Sequence, residues 1–247
     1  MKTDFGFKEV DINEKKKLVG DVFTSVADKY DVMNDLMSLG LHRLWKRHAV
    51  SLLQVHQDHH VLDLAAGTGD LSRLIAPKVT ALGKITLCDI NFEMLSQGKN
   101  RLLDSGLFQN IQIIQGNAEY LPFPSNTFDR IIMGFGLRNV THKELALKEI
   151  SRVLKPGGRF VILEFSHPTC PLPGFSQLYD AYSFHVLPQL GKWIANDSES
   201  YRYLAESIRM HPNQEKLKEM ICACGFDTCH YQNLSGGIVA LHQGIKY

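Results

Sequence analysis

No apolar run in this sequence approaches the roughly 20 residues that a bilayer-crossing helix needs. The first residues are polar and charged, without an apolar h-region, so no secretory signal is expected. An excess of charge of one sign is missing too. Lys and Arg total 27 against 26 Asp and Glu, a formal net charge of +1. Whole-chain electrostatics therefore gives no reason to expect nucleic acid as a partner. There is no internal repeat and no low-complexity segment. The five cysteines, Cys88, Cys170, Cys222, Cys224 and Cys229, are odd in number and lack disulfide-like spacing. That usage suits a reducing compartment. Cys222, Cys224, Cys229 and His230 lie close together but form no paired C-x-x-C, so small core residues are expected there rather than a metal site. These absences point to a soluble or peripheral protein, cytoplasmic, with no metal.

What is present is enough for one core. The chain has 247 residues, 44% of them hydrophobic, and is expected to form a single domain over 1–247. Residues 1–20 read as a polar segment, with Lys15, Lys16 and Lys17 as a solvated face or, as the alternative, a membrane-surface contact. Residues 20–55 show helical spacing, around Val22, Phe23 and Val26, then Leu41, Leu44 and Trp45. Five short apolar runs follow: HVLDLAAG (60–67), KITLCDI (84–90), IQIIQGN (111–117), FDRIIMGFG (128–136) and GRFVILEFS (158–166). Helical patterns near 70–80, 91–105 and 141–154 separate them. Strands apolar on both faces that alternate with helices imply a parallel sheet covered on both sides.

After Ser166 the pattern changes. PTCPLPG (168–174) has three prolines and excludes regular structure. A mostly helical stretch rich in Tyr, Phe and His runs to about Ser207, followed by a helix near 212–223. Two last runs, 226–232 and 237–245, are joined by a loop too short for a parallel connection. The expected fold is α/β: a doubly wound, mostly parallel seven-stranded sheet with an antiparallel C-terminal hairpin. A helical region precedes it, and a helical insertion at 168–207 precedes the hairpin.

The first strand runs into AGTGD (66–70). Gly67 and Gly69 permit a tight turn and close approach of a ligand. Asp89 ends the next strand, at the offset where such sheets place a carboxylate on the hydroxyls of an adenosine ribose. Asp70 stands where a pyrophosphate would otherwise meet helix amides, and Asp63 adds negative charge. Those acids disfavour a dinucleotide and suit S-adenosylmethionine, which is cationic and has no phosphate. Asn117 and Ala118 follow the third strand, where an adenine edge would lie.

DLAAGTGD (63–70) with Asp89 resembles the class I S-adenosylmethionine-dependent methyltransferases. More specific are YDVMNDLMSLGLHRLW (30–45), GFGLRNV (134–140), RVLKPGGRFVILEFS (152–166), and AYSFHVLP (181–188) with SYRYLAESI (200–208). Together they resemble the ubiquinone/menaquinone biosynthesis C-methyltransferases, the UbiE family, from about residue 20 to the C-terminus. The resemblance implies methylation of a ring carbon of 2-polyprenyl-6-methoxy-1,4-benzoquinol or of a demethylmenaquinol. It implies cofactor contacts at Thr68, Asp89, Asn117 and Ala118. Two positions depart from the family's usual residues: Ala66, where Gly is frequent, and Gly134, where a cofactor-contacting Ser is frequent.

A quinol carbon becomes nucleophilic once a ring hydroxyl is deprotonated. Arg138, after the fourth strand, is expected to stabilise the phenolate, or else to pair with a carboxylate. Asn139 holds a hydroxyl or fixes the loop. Tyr30 is a candidate for substrate or cofactor contact, and His185 for the base, each against a structural role. Met33, Met37 and Leu41 read as core, and His56, His59 and His60 as loop. Phe175, Leu178, Tyr182, Phe184 and Trp193 offer a lid or a channel for the polyprenyl tail, or simply pack on the sheet. A polyprenyl quinol partner also implies contact with a membrane surface or with a quinone-biosynthesis complex.

Overall fold

The core strand His60–Leu64 (β3) has Val61, Leu62, Asp63 and Leu64 all buried, as its two-sided apolar pattern requires. The computed structural model describes residues 2–26, 30–107, 109–195 and 197–247. Around β3 lie Lys84–Asp89 (β4), Ile111–Gln115 (β5), Phe128–Gly134 (β6), Leu154–Phe165 (β7), Thr228–Leu234 (β8) and Val239–Ile245 (β9). They form one seven-stranded sheet in the order β5-β4-β3-β6-β7-β9-β8. The first five are parallel; β9 runs antiparallel to both β7 and β8. Gly236 and Gly237 take positive φ in the turn between β8 and β9, which pairs Leu234 with Val239. The α/β sheet and its antiparallel hairpin are as the sequence implied.

After β5 the chain returns to the other side of β3 to lay down β6. That reversal opens a crevice at the carboxyl ends of β3 and its neighbours. Two-residue alternation splits the core. Val161, Leu163 and Phe165 of β7 face one layer, with Ala49, Leu53 and Ile75; Phe160 and Ile162 face the other, with Leu147, Ile150 and Ile221. The helices covering the faces are His42–Leu52 (α3), Asp70–Ile75 (α4), Phe92–Asp104 (α5), Lys143–Val153 (α6) and Gln214–Ala223 (α10). Asn91 caps α5 by accepting from the Met94 amide, and Asn213 caps α10 in the same way. Cys224 and Cys229 pack in the second core layer, and Cys222 is exposed.

The polar segment 1–20 carries regular structure that the sequence left unassigned. Lys2–Phe5 (β1) and Lys8–Asp11 (β2) form a separate hairpin turned at Gly6, whose φ is 59°. Ile12–Val26 (α1) follows, then Tyr30–Ser38 (α2). The hairpin is held from outside: the Phe5 ring stacks on Tyr203 at 4.2 Å, and the Phe7 amide donates to Glu206 at 3.0 Å. Its strands are too short and polar to signal themselves without these contacts. Beyond the proline-rich loop stand Phe175–Ala181 (α7), a π-helical turn at Tyr182–Val186, Leu187–Ala195 (α8) and Ser198–Met210 (α9).

Candidate active site

The glycine turn is built by backbone geometry. Gly67 has φ 53° and Gly69 φ 77°, both in the left-handed region. Gly98 of α5, which the sequence reading passed over, lets the turn and helix touch: a Cβ there would lie 3.0 Å from the Thr68 carbonyl carbon. A glycine inside a helical pattern was the available signal. The Gly67 amide donates to Asp89 Oδ2 and the Asn91 amide to Asp89 Oδ1, each at 2.8 Å. Burial raises the Asp89 pKa, and these amide bonds oppose the rise.

Above the turn is a cavity of about 470 Å³. Its floor is formed by the ends of β3, β4 and β6, and α1 forms one wall. Gly67, Asp89, Asn117, Ala118 and Asn139 line it, so five of the expected site residues meet there. Ile90 and Phe92 add exposed apolar surface beside Asp89. Gly134 also lines it, by backbone alone; a Cβ there would stand 2.8 Å from Leu71 Cδ1. Glu119 follows Ala118 in the lining. It is buried, and its Oε1 accepts from the Thr141 and His142 amides at 3.1 and 2.9 Å, tying the loop after β5 to the loop after β6.

Thr68, Gly69 and Asp70 shape the turn but do not line the cavity. The Thr68 hydroxyl accepts from Arg101 at 3.2 Å. Asp70 is bonded to Lys46 at 2.6 Å. Burial alone would raise its pKa, but Lys46 and Arg101 hold it below the usual range. The Asp70 carboxylate is thus held ionised in a pair with Lys46. A different feature disfavours pyrophosphate. Two amides at the start of α4 are already engaged: Gly69 donates to Ala66 O at 2.9 Å, and Ser72 to Asp63 Oδ2 at 2.9 Å.

Two catalytic candidates are placed elsewhere. Arg138 does not line the cavity. Its Nη1 donates to Glu164 Oε1 at 2.7 Å and to the Phe135 carbonyl, and its Cζ lies 5.5 Å from the Phe165 ring centroid. Through Nη1 the guanidinium ties the loop after β6 to β7, while its buried Nε has no hydrogen-bond partner among the described residues. His185 is exposed on the π-helical turn, its Nδ1 3.3 Å from Ala181 O, outside the cavity. Asn139 remains in the lining, and its Oδ1 accepts from the Tyr203 hydroxyl at 3.0 Å. The side chains of Tyr30 and Met33 lie outside the described residues. Met37 is core, whereas Leu41 is exposed. Tyr182 packs against the first core layer, while Leu178 and Trp193 are exposed.

The lysine run is split. All three line the cavity, but Lys16 and Lys17 are exposed, as a solvated face would be, whereas Lys15 is only 5% exposed. A continuous α1 explains this, since neighbouring residues on a helix point about 100° apart.

The ubiE/COQ5 methyltransferase family matches residues 9–246. The chain belongs to this family. It is 60% identical over 245 residues to the ubiquinone/menaquinone biosynthesis C-methyltransferase of Legionella pneumophila (strain Paris), covering 99% of this chain and 97% of that one. Identity is 57% to the protein of the same name from Marinomonas sp. (strain MWYL1), again over 99% of this chain and 97% of the relative. Among solved structures, a SAM-dependent methyltransferase from Aquifex aeolicus superposes with a TM-score of 0.63 at 16% identity, over 87% of this chain and 97% of that one. A Haemonchus contortus phosphoethanolamine N-methyltransferase in complex with S-adenosyl-L-methionine gives 0.59 at 14% identity, over 82% of this chain and 52% of that one. These two likenesses concern the fold.

Proposed function

We propose that this enzyme transfers the methyl group of S-adenosylmethionine to a ring carbon of a polyprenylated quinol, in ubiquinone or menaquinone biosynthesis. The observation that carries the cofactor assignment is Asp89. Its carboxylate sits in the cavity lining, fixed by two backbone amides, with lone pairs left to accept from ribose hydroxyls. The residues fit the cofactor in other ways. Gly67 leaves little room for a Cβ, which would fall 3.2 Å from Met94 Cε. The cavity volume is in the range that holds one small ligand. Asn117 and Ala118 would hold the adenine, and the Gly67 turn would hold the methionyl arm.

When bound, S-adenosylmethionine supplies an electrophilic methyl group on its sulfonium sulfur. The quinol would be held with one oxygen deprotonated, so that its ring carbon is the nucleophile and its displaced hydrogen leaves as a proton. The protein orients the ring and keeps water out. Asn139 is the side chain we assign to a quinol oxygen, steadied by Tyr203. Arg138 acts as a positioning residue: with Glu164 it fixes the 135–139 loop that carries Asn139.

The tail of such a quinol partitions into lipid. Among the described residues no helix is long and apolar enough to cross a membrane. We assign the exposed Leu172, Leu178 and Trp193 of the 168–207 segment to contact with the bilayer surface, on its cytoplasmic side. The function is tested by supplying the purified protein with cofactor and a short-tailed demethylated quinol, kept reduced. Formation of S-adenosylhomocysteine with a product one methylene heavier is expected. Turnover on unrelated phenols but not on quinols would overturn the assignment.

A further inference from the structure

Lys15 presents a physical problem. It is almost wholly buried and lines the cavity, yet among the described residues no hydrogen bond or ion pair holds its ammonium. Two carboxylates, Asp4 of β1 and Glu119, act on it electrostatically. Glu119 already binds two backbone amides through Oε1. A second ammonium, Lys143 at the start of α6, acts in the same region; among the described residues its Nζ donates to a carbonyl, Val140 O, at 3.1 Å, and Glu164, Glu144 and Asp4 act on it electrostatically. Burial lowers the pKa of both lysines. Removing an ammonium from water without a close counter-charge is costly. Lys16 and Lys17 also line the cavity but are exposed to solvent, whereas Lys15 is buried. Carboxylates act on both Lys15 and Lys143 from a distance, so what sets Lys15 apart is a cavity-lining ammonium without a direct partner among the described residues.

We propose that Lys15 is a ligand-binding residue, pairing with an anionic oxygen of a molecule held in the cavity. The inference rests on the cavity being the cofactor and substrate site. Two molecules of this reaction carry such an oxygen: the cofactor through its methionyl carboxylate, and the quinol through the oxygen that is deprotonated before methyl transfer. α1, which bears Lys15, thereby contributes a charged contact to the site as well as a wall.

The test compares wild type with Lys15→Met, which keeps the apolar stem, and Lys15→Arg, which keeps the charge. Calorimetric affinities for S-adenosylhomocysteine and for decarboxylated S-adenosylmethionine are measured, with thermal melting as a control for folding. If the carboxylate is the partner, Lys15→Met weakens S-adenosylhomocysteine by about 10–100-fold. Decarboxylated S-adenosylmethionine should then be unaffected, and Lys15→Arg should recover part of the loss. If the quinol oxygen is the partner, both affinities survive Lys15→Met. In that case kcat falls, and the pH at which turnover rises moves upward. Equal weakening of both cofactors, or no change in affinity and turnover, overturns the proposal. Failure of the quinol assignment would leave the cofactor-binding result intact, so the two failures are distinguishable.

Discussion

Arg138 and Glu164 form a sealed ion pair, Nη1 to Oε1 at 2.7 Å, with both side chains 2% exposed. Glu164 also accepts from the Arg138 amide at 3.1 Å and the Phe165 amide at 2.9 Å. Removing one partner strands the other charge. Arg138→Ala and Glu164→Gln should each destabilise the fold by about 3–5 kcal/mol. An apolar double replacement should recover much of that loss. Denaturant unfolding of the four proteins measures it. Single variants that melt like wild type would show that the pair does not anchor the loop.

Asp89 is the corresponding test of the cofactor site. Asp89→Ala removes a charged acceptor from the ribose and strands the Gly67 and Asn91 amides. Cofactor affinity should fall by about 1.5–3 kcal/mol. Asp89→Asn keeps one acceptor and should lose less. Calorimetric affinity unchanged by Asp89→Ala would remove the assignment.

Asp63, sealed inside β3, gives a pH dependence. Burial pushes its pKa up to about 7 from 3.8, although Ser72 donates to Oδ2 from both its amide and its hydroxyl. The folded value lies above the unfolded one, so the native state holds a proton that the unfolded chain releases. Its favourable contribution is complete below the unfolded value and is lost as pH rises through about 7. Asp63→Asn cannot ionise. Its unfolding free energy relative to wild type should therefore rise by about 2–3 kcal/mol between about pH 5 and pH 8. A difference that stays flat across that range would mean Asp63 is ionised throughout.

The exposed Trp193, at 80%, together with Leu178, tests the membrane assignment. Replacing both with serine should reduce co-sedimentation with lipid vesicles. The KM for a long-tailed quinol should rise while that for a tailless quinol holds. Equal KM changes for both substrates would place these residues elsewhere in the reaction.

The sheet was legible because its central strands are buried on both faces, so their runs are apolar throughout. The glycine turn and Asp89 were legible from spacing. Side-chain direction was not. Arg138 stands at the sheet edge in the sequence, but Glu164, an acid within the apolar run GRFVILEFS, was the sign that a buried cation must face it. Lys15 was hidden in a lysine run that reads as surface until a helix turns it inward. The β1–β2 hairpin was illegible because its anchors, Tyr203 and Glu206, lie about 200 residues away and only the fold brings them near.

The most direct measurement follows the methyl group itself. The purified enzyme is given S-adenosylmethionine with an isotope-labelled methyl group and, in separate reactions, the reduced benzoquinol and demethylmenaquinol substrates. Product is then analysed by NMR. The label is expected on a ring carbon of at least one quinol, with loss of that carbon's hydrogen. Label on a ring oxygen, or no transfer to either quinol by protein that binds the cofactor, would contradict the assignment.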